Sequence, residues 1–414
     1  DWNTTKITAD PANAVSGTGY FCDTSGGAFT VTLPTSPSAG DIVAVADYTR
    51  TFQTNNLTIG RNSKSIGGVA QDAKLDVEGQ SATFVFVDDT EGWINVQETQ
   101  TSQTGVLPFI IATGGTPCAG ATVGDYKVHT FTGPGTLCVS SAGSPGGSTT
   151  VDYLVVAGGG AGGASYNPSW GGAAGGGGGG YRESVPSPAA WTASPIANPG
   201  NARPVSVQGY PITVGAGGVV SPQSSGCRGS DSIFSDITST GGGGGRGSVP
   251  PSTLCNSKTP GGSGGGSSPA CTGPGLIGQG NTPPVSPAQG TPGGQTGGPS
   301  PAYGMGGGGG ATVAGAVGRP SGPAAGGTGG TTCITGSPIS KSGGGGGSAA
   351  AGPTGPASPC GTGAPGVTGP QVAGIAAAAN TGGGGSGAAG GPPTAPIAGG
   401  AGGSGIVVIR YKFQ

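Results

Sequence analysis

Few residues in this 414-residue chain could do acid–base or nucleophilic chemistry. The only histidine, His129, alternates with its neighbours as in a strand, and the glycine-rich stretch 158–403 contains three carboxylates, Glu183, Asp231 and Asp236. A glycosidase needs two carboxylates that flank one bond, and these three fit turn and cap positions. We therefore predict no catalytic residue and no enzyme. A depolymerase acting through Glu183 or Asp231 is the third-ranked alternative.

Cofactor and metal motifs are absent or arise by chance. GxGxxG patterns recur, but no strand–helix–acid context accompanies them in a chain with 98 glycines. The nearest P-loop candidate, at 340–342, lacks the glycine before Lys341. No CxxC pair occurs, and a single histidine makes a zinc site improbable. We predict no cofactor and no metal, and the net charge of −2 argues against nucleic acid binding.

Eight cysteines allow 105 disulfide connectivities, which sequence alone does not resolve. Cys22 lies in an apolar strand context and is expected to be a small buried side chain. Cys118 and Cys138 flank one short apolar region and form the best candidate disulfide. Bridges among the cysteines between glycine runs would restrain segments with little core of their own, which suits an extracellular protein.

Large aromatic side chains are the better lead to a binding function. The glycine-rich stretch contains six tyrosines and tryptophans, Tyr181 and Tyr210 among them, in a chain that is only 5% aromatic. About half of these rings are expected to form local cores for their loops, Tyr210 first among them. Exposed aromatic rings are favoured contact residues in interfaces, and the candidates for receptor contact are Tyr166, Trp170, Trp191 and Tyr303.

The elements that must position these residues are unusual, because runs of four to six glycines punctuate the last two thirds of the chain. The runs include 175–180, 241–245, 306–310 and 343–347. They lack the triplet register of collagen. Disorder is the default for such composition, but charged residues make up only 8% of the chain. Packed polyglycine II rods, whose backbones bond to neighbouring rods, are the remaining structure.

Ordinary β patterns surround the glycine runs, and no segment has a helical period. Residues 1–103 form a predicted all-β module, with a hairpin over 82–96. The closing apolar strand at 406–413 is too short to be stable alone, so we expect it to pair with 151–156. The predicted organisation is thus a β-sheet base, 104–157 with 405–414, and a polyglycine II lobe at 158–404 with variable loops.

Two sets of motifs resemble known phage proteins. YFCDTSGG at 20–27, NNLTIGRN at 55–62 and Gly92-Trp93 look like a module of tail-fibre and virion structural proteins of marine and cyanobacterial phages. The pattern VDYLVVAGGG at 151–160, ITVGAGG at 212–218 and GIVVIRY at 405–411 resembles the glycine-rich C-terminal domain of phage fibres. It is similar in design to polyglycine II sandwich adhesins, which are separate capping proteins, whereas here the glycine lobe is fused to β modules.

The resemblance implies a host-recognition function. It predicts a tail-fibre adhesin on the virion surface, assembled as a homotrimer, whose loops bind a host polysaccharide or outer-membrane protein. The alternative is a structural subunit of a capsid decoration fibre or an extracellular filament, which forms a polymer and binds no receptor. Nucleic acid binding is not expected, given the net charge of −2. Membrane insertion is not expected either, because no stretch approaches 18 consecutive apolar residues.

Overall fold

The computed structural model describes most of the chain as β-strands and extended glycine rods. The described residues are 1–97, 109–144, 147–165, 172–221, 225–248, 259–268, 277–297, 304–319, 322–350, 352–390 and 396–414. Within these ranges there are 22 strands and no helix, which confirms the predicted all-β fold class. The chain divides into two compact units, Asp1–Ile110 with Ser141–Thr149 and Ile111–Ser140 with Thr150–Gln414. The glycine runs fall within the second unit, whereas Ser141–Thr149 of the predicted sheet base belongs to the first.

The first unit contains two sheets around one apolar core. A five-stranded sheet has the order β1-β2-β4-β7-β8, and a three-stranded sheet has the order β3-β5-β6. The strands are β1 Trp2–Ile7, β2 Thr18–Cys22, β3 Phe29–Thr32, β4 Ile42–Asp47, β5 Leu57–Gly60, β6 Ala73–Leu75, β7 Ser81–Asp88 and β8 Gly92–Asn95. Antiparallel pairing of β7 with β8 confirms the predicted hairpin.

The core of this unit is built by alternate strand residues, as the period of two requires. Phe84 and Trp93 are fully buried, and so are Val43 and Val45 of the neighbouring β4. Cys22 is buried among them with a free thiol, as predicted. Burial raises the pKa of this thiol to about 12.

The second unit is organised by a sheet in the order β10-β11-β22-β13-β14-β15. Its strands are β10 Thr116–Val123, β11 Tyr126–Phe131, β13 Thr150–Val156, β14 Tyr181–Val185, β15 Asn198–Pro199 and β22 Ile406–Lys412, and β16 Arg203–Pro204 pairs with β13. β22 lies between β11 and β13, antiparallel to both. The predicted return of the closing strand to 151–156 is therefore confirmed.

A second sheet and a short hairpin complete the strands. The sheet has the order β19-β18-β17-β12-β9, formed by β9 Ile110–Thr113, β12 Gly135–Ala142, β17 Gly209–Thr213, β18 Ser232–Phe234 and β19 Ile237–Ser239. The hairpin pairs β20 Gly330–Thr332 with β21 Ile339–Lys341. Tyr153 of β13 and Phe234 of β18 bring their rings to 6.4 Å, so side chains join the two sheets in the ordinary way.

Between these strands the glycine runs form rods that bond to one another through the backbone. The rod that follows β13, residues 157–165, shows the period. Every third N–H group donates to the same neighbouring rod, 173–180, through the pairs Ala157 with Gly180, Gly160 with Gly177 and Gly163 with Ala174. The other N–H groups of the rod alternate between runs 227–230 and 397–403. Three residues per turn without internal hydrogen bonds is the geometry of polyglycine II.

The same rod also accepts hydrogen bonds from three further runs. These neighbours are the segment at residue 218 and the runs 242–248 and 385–388. The rod is thus bonded to six neighbours, three reached by its N–H groups and three that donate to its carbonyl oxygens. We call this arrangement the glycine lattice. Such mutual pairing satisfies backbone groups that are buried from water.

The lattice explains why glycine is required at its interior positions. A Cβ on Gly162 would overlap the carbonyl oxygen of Ser386, and one on Gly176 would overlap that of Gly160. Both obstacles are backbone atoms of neighbouring rods, which no change of side-chain rotamer relieves. At these glycine positions the spacing between rods leaves no room for a side chain, whereas alanine is accommodated at 157, 161 and 164 of the rod that contains Gly162 and is fully buried there.

Candidate functional site

The candidate functional site is the end of the glycine lattice that lies away from the strands. The rods 157–165 and 173–180 leave β13 and enter β14 at one end, which we call the sheet end. At the opposite end, which we call the far end, Ser165 pairs with Ile397 and Gly172 pairs with Ala389. Antiparallel rods thus bring many chain connections to one surface.

Serine hydroxyl groups join the rods at the far end through hydrogen bonds to backbone groups. Ser348 accepts from Ala173 N at 2.8 Å and lies 2.6 Å from the carbonyl oxygen of Ala388, to which it donates. Ser268 donates to the carbonyl oxygen of Gly247 at 2.7 Å. Ser348 follows the glycine run 343–347 directly, and Ser268 is the second of two serines after 264–266; our sequence reasoning missed this signal of serine at the end of a glycine run.

Three of the four predicted receptor-contact residues lie outside the described residues. They are Tyr166, Trp170 and Tyr303. The described residues that flank them belong to the far end: Ser165 and Gly172 border the first two, and Gly304 borders the third. Met305 N, next to Gly304, donates to the carbonyl oxygen of Ser348. These flanks share the surface where Ser348 joins its rods.

Trp191, the fourth candidate, lies near the sheet end and packs against Arg410. The Arg410 guanidinium contacts two rings, 4.2 Å from the centroid of Trp191 and 4.3 Å from that of Tyr126, and the two rings meet edge to face with centroids 6.0 Å apart. Its Nη1 donates to the carbonyl oxygen of Ile334 at 2.9 Å. The loop after β14 and the β20–β21 hairpin are thereby held on the same face of the sheet. This geometry gives Trp191 the local packing role, and its contact with a receptor stays a prediction.

Two carboxylates are buried beside this cluster. Glu183 accepts from the Tyr181 hydroxyl at 2.8 Å and from Ser194 N at 3.1 Å. Asp152 lies opposite Arg410 in the strand register and accepts from the Ser184 hydroxyl at 2.7 Å. Burial outweighs these partners and raises the pKa of Asp152 to about 6. Glu183 thus holds loop and strand together and has no free face for catalysis.

The other two acidic candidates, Asp231 and Asp236, do not belong to this buried pair of carboxylates. Asp231 accepts from Gly241 N at 2.8 Å, and Asp236 forms an ion pair with Arg203 at 2.9 Å. Asp236 lies in the turn between β18 and β19, and Asp231 lies directly before β18 and bonds across to the segment after β19. The described residues contain no group of three or more histidine, cysteine or carboxylate side chains that could hold a metal ion.

The predicted disulfide between Cys118 and Cys138 is not formed in the structure. Both residues are exposed and carry free thiols. Cys118 lies on β10 and Cys138 on β12, which belong to different sheets. Among the described residues, no helix is long and apolar enough to cross a bilayer.

Comparison with known proteins supports the glycine-rich part of the interpretation. A family model described as a glycine-rich domain matches residues 136–412. No curated protein matches the chain significantly. The matched segment starts in β12 and ends in β22, so it contains the glycine lattice together with the sheet strands that open and close it. The chain belongs to the glycine-rich domain family.

Proposed function

We propose that this chain is a phage tail-fibre adhesin that recognises the host cell surface through segments at the far end of the glycine lattice. The observation that carries the proposal is the convergence of rod ends at this surface, where Ser165, Gly172 and Gly304 border the predicted contact residues. Antiparallel rods return to this end repeatedly, and in this proposal the segments between them together contact the host.

The lattice suits such a function because the residues that hold the fold, in the rods, are not the residues that would contact the host, in the segments between rods. Its bonds join backbone atoms, and at interior positions such as Gly162 and Gly176 even a methyl group collides with a neighbouring rod. Sequence change is therefore confined to the segments between rods. A rigid scaffold that carries variable segments is the common design of binding proteins.

The composition of the lobe indicates the kind of contact. Stretch 158–403 has only ten charged residues among 246, which leaves little basis for recognition by charge. Tyr166, Trp170 and Tyr303 offer amphipathic rings, which are favoured at the centres of interfaces. A host surface polysaccharide or an outer-membrane protein fits this chemistry, and the chain would act outside the cell, on the virion surface.

The test measures binding of the fluorescently labelled full chain to a panel of marine cyanobacterial isolates. We expect saturable binding to a subset of strains. Replacement of 166–171 and 298–303 by Gly-Ser segments of equal length should reduce that binding at least tenfold. The matched control replaces 284–288, a segment near the sheet end, where Gln289 O accepts from Tyr181 N. This control should bind as the unmodified chain does.

Two results would contradict the proposal. Equal loss of binding in the control would show that the far end has no special role. Undiminished binding after both far-end replacements would exclude these segments as the contact. Continuous polymers of the purified chain in electron micrographs, without any cell binding, would favour the structural alternative of a decoration fibre or filament.

A further inference from the structure

Three aromatic rings form a row at one edge of the five-stranded sheet in the first unit. The rings belong to Trp2 of β1, Phe21 of β2 and Tyr48, which follows β4 directly. The ring centroids of Trp2 and Phe21 are 4.9 Å apart, and those of Phe21 and Tyr48 are 6.3 Å apart. Trp2 is 46% exposed and Tyr48 is 55% exposed. We call these three rings the aromatic row.

A glycine allows the Trp2 indole to lie on the sheet. The strand register places Trp2 opposite Gly19 of β2. A Cβ at Gly19 would lie 2.5 Å from Cδ2 of the indole and 2.6 Å from Cε3, so the ring occupies the space of the missing side chain. The indole is thus held between the backbone of β2 and the Phe21 ring while much of it faces water. A ring fixed in this way loses little conformational entropy when it binds a ligand.

The other end of the row is bordered by a compensated pair of charges. Lys6 Nζ lies 5.4 Å from the centroid of the Tyr48 ring and 2.6 Å from Asp23 Oδ2. Asp23 is buried, and its Oδ1 accepts from the Ser25 hydroxyl at 2.6 Å and from the Thr49 hydroxyl at 3.1 Å. Because an ammonium group has three donors, Lys6 can donate to a further acceptor as well. A ligand at this end therefore meets hydrogen-bond donors without a net charge.

The surroundings of the row argue against a protein partner. The neighbouring residues on the same face are small or polar: Ala44 and Ala46 of β4, and opposite them Thr83 and Ser81 of β7. Aromatic side chains have areas of about 150–250 Å² each, so three partly exposed rings offer roughly 300 Å². A stable protein interface buries about 800 Å² per partner. The row is thus the size of a site for a small ligand or for a narrow extended polymer.

We propose that the aromatic row binds a neutral polysaccharide, in a unit of the chain other than the one that contains the far end. A pyranose ring carries C–H groups on its faces and hydroxyl groups around its edge. The C–H groups are attracted to the negative face of an aromatic ring. The hydroxyl groups bond to polar groups such as the Lys6 ammonium and the Tyr48 hydroxyl. Successive rings of the row contact successive sugars, and an acidic sugar would find no uncompensated cation.

The test is isothermal titration calorimetry of the full chain with cellohexaose, laminarihexaose, maltohexaose, mannohexaose and chitohexaose. At least one of these hexasaccharides should bind saturably, with a submillimolar dissociation constant. Trp2→Ala and Tyr48→Ala should each weaken this binding about tenfold or more, as the loss of an aromatic contact residue does. Trp2→Tyr retains a ring and should bind more tightly than Trp2→Ala. Val77→Ala, which truncates an exposed residue outside the row, is the matched control and should bind as wild type does.

Thermal unfolding of each variant checks the fold. Should Trp2→Ala unfold early, Tyr48→Ala decides the test, because Tyr48 lies outside the strands. Binding of none of the hexasaccharides would overturn the proposal, as would binding that both alanine variants retain or an equal loss in Val77→Ala. Self-association of the wild-type chain in sedimentation velocity that disappears in Trp2→Ala would show that a protein covers the row, which would also overturn it. The far-end replacements described above should leave hexasaccharide binding unchanged, so this proposal and the adhesin function can fail separately.

Discussion

The first unit and the glycine lattice bury their interiors by different means. In the first unit, side chains such as Phe84 and Trp93 fill the space between sheets, and the backbone is paired within each sheet. In the glycine lattice backbone packs against backbone, and the rod 157–164 buries no side chain larger than the methyl groups of its alanines. A core of side chains is specified by shape and volume, whereas the lattice is specified by the positions at which a Cβ is absent. The two should therefore respond differently to the gain or loss of one methyl group.

Adding one methyl to the lattice is expected to have the largest effect. In Gly162→Ala the new Cβ meets the carbonyl oxygen of Ser386, a backbone atom that moves only with its whole rod. We expect the free energy of unfolding to fall by at least ~3 kcal/mol, at the upper end of overpacking. Chemical denaturation followed by circular dichroism measures it.

Gly133→Ala is the control for this change. Its Cβ would have no neighbour within 4 Å, and the substitution should leave stability equal or raise it by about 0.5 kcal/mol. Similar losses at Gly162 and Gly133 would mean that glycine is needed for backbone conformation and not for rod spacing.

The second largest loss of stability is expected when the Gln289 side chain is removed. This side chain bonds to a backbone N–H group, as a carbonyl of a neighbouring rod does elsewhere in the lattice. Gln289 Oε1 accepts from Thr240 N at 2.8 Å, and its Nε2 donates to the carbonyl oxygen of Pro283 at 3.1 Å. Gln289→Leu leaves a buried N–H and a carbonyl without partners, which should cost about 1–3 kcal/mol in unfolding free energy. Gln289→Glu retains the acceptor for Thr240 N and tests whether that bond dominates. A leucine variant as stable as wild type would show that neighbouring rods close over the gap.

Removing one methyl from the side-chain core should have a smaller effect. Ile59 is fully buried in the first unit, and Ile59→Val should cost about 1 kcal/mol through a small cavity. Thermal unfolding of the two variants in parallel compares the subtraction of a methyl here with its addition at Gly162. A larger loss for Ile59→Val than for Gly162→Ala would reverse the proposed contrast between the two units.

The smallest expected effect is a pH dependence from His129. Its Nδ1 lies 2.7 Å from the carbonyl oxygen of Gly114, to which it must donate, and its Nε2 lies 3.1 Å from the Tyr411 hydroxyl. Burial, with a smaller contribution from Lys127, lowers the pKa of His129 below its ordinary 6.5. The unfolded chain then binds the proton first, so this contribution to stability is complete above about pH 6.5 and declines as the pH falls below it.

His129→Gln isolates this contribution. Asp152, whose pKa is raised to about 6, takes up a proton in the folded state and opposes the decline in the same pH range. The difference in unfolding free energy between wild type and His129→Gln between pH 7 and pH 5 removes the Asp152 effect, because both proteins share it. A difference that does not change with pH would show that the pKa of His129 is the same in the folded and unfolded chains.

Sequence reasoning succeeded where local chemistry determines structure. The apolar run at 406–413 is too short to be stable alone and was expected to pair with 151–156, and β22 does pair with β13. The glycine runs were expected to be rods if ordered, because most positions of a packed rod leave no room for a Cβ. Which rods lie side by side could not be predicted, since glycine runs carry no side chains that distinguish one rod from another. The place of Trp191 against Arg410 also required the structure, because it depends on which loop lies over β22 in the fold.

The three-residue repeat of the rods also limits how this chain can change in length. Each residue of a turn is bonded to a different neighbour, as the first rod shows toward 173–180, 227–230 and 397–403. Inserting one or two residues within a rod would direct every later N–H group to the wrong neighbour. An insertion of three would restore the pairing after a shift of about 9 Å along the axis. Rods can therefore grow or shrink only in units of three residues, whereas the segments between rods can take any length.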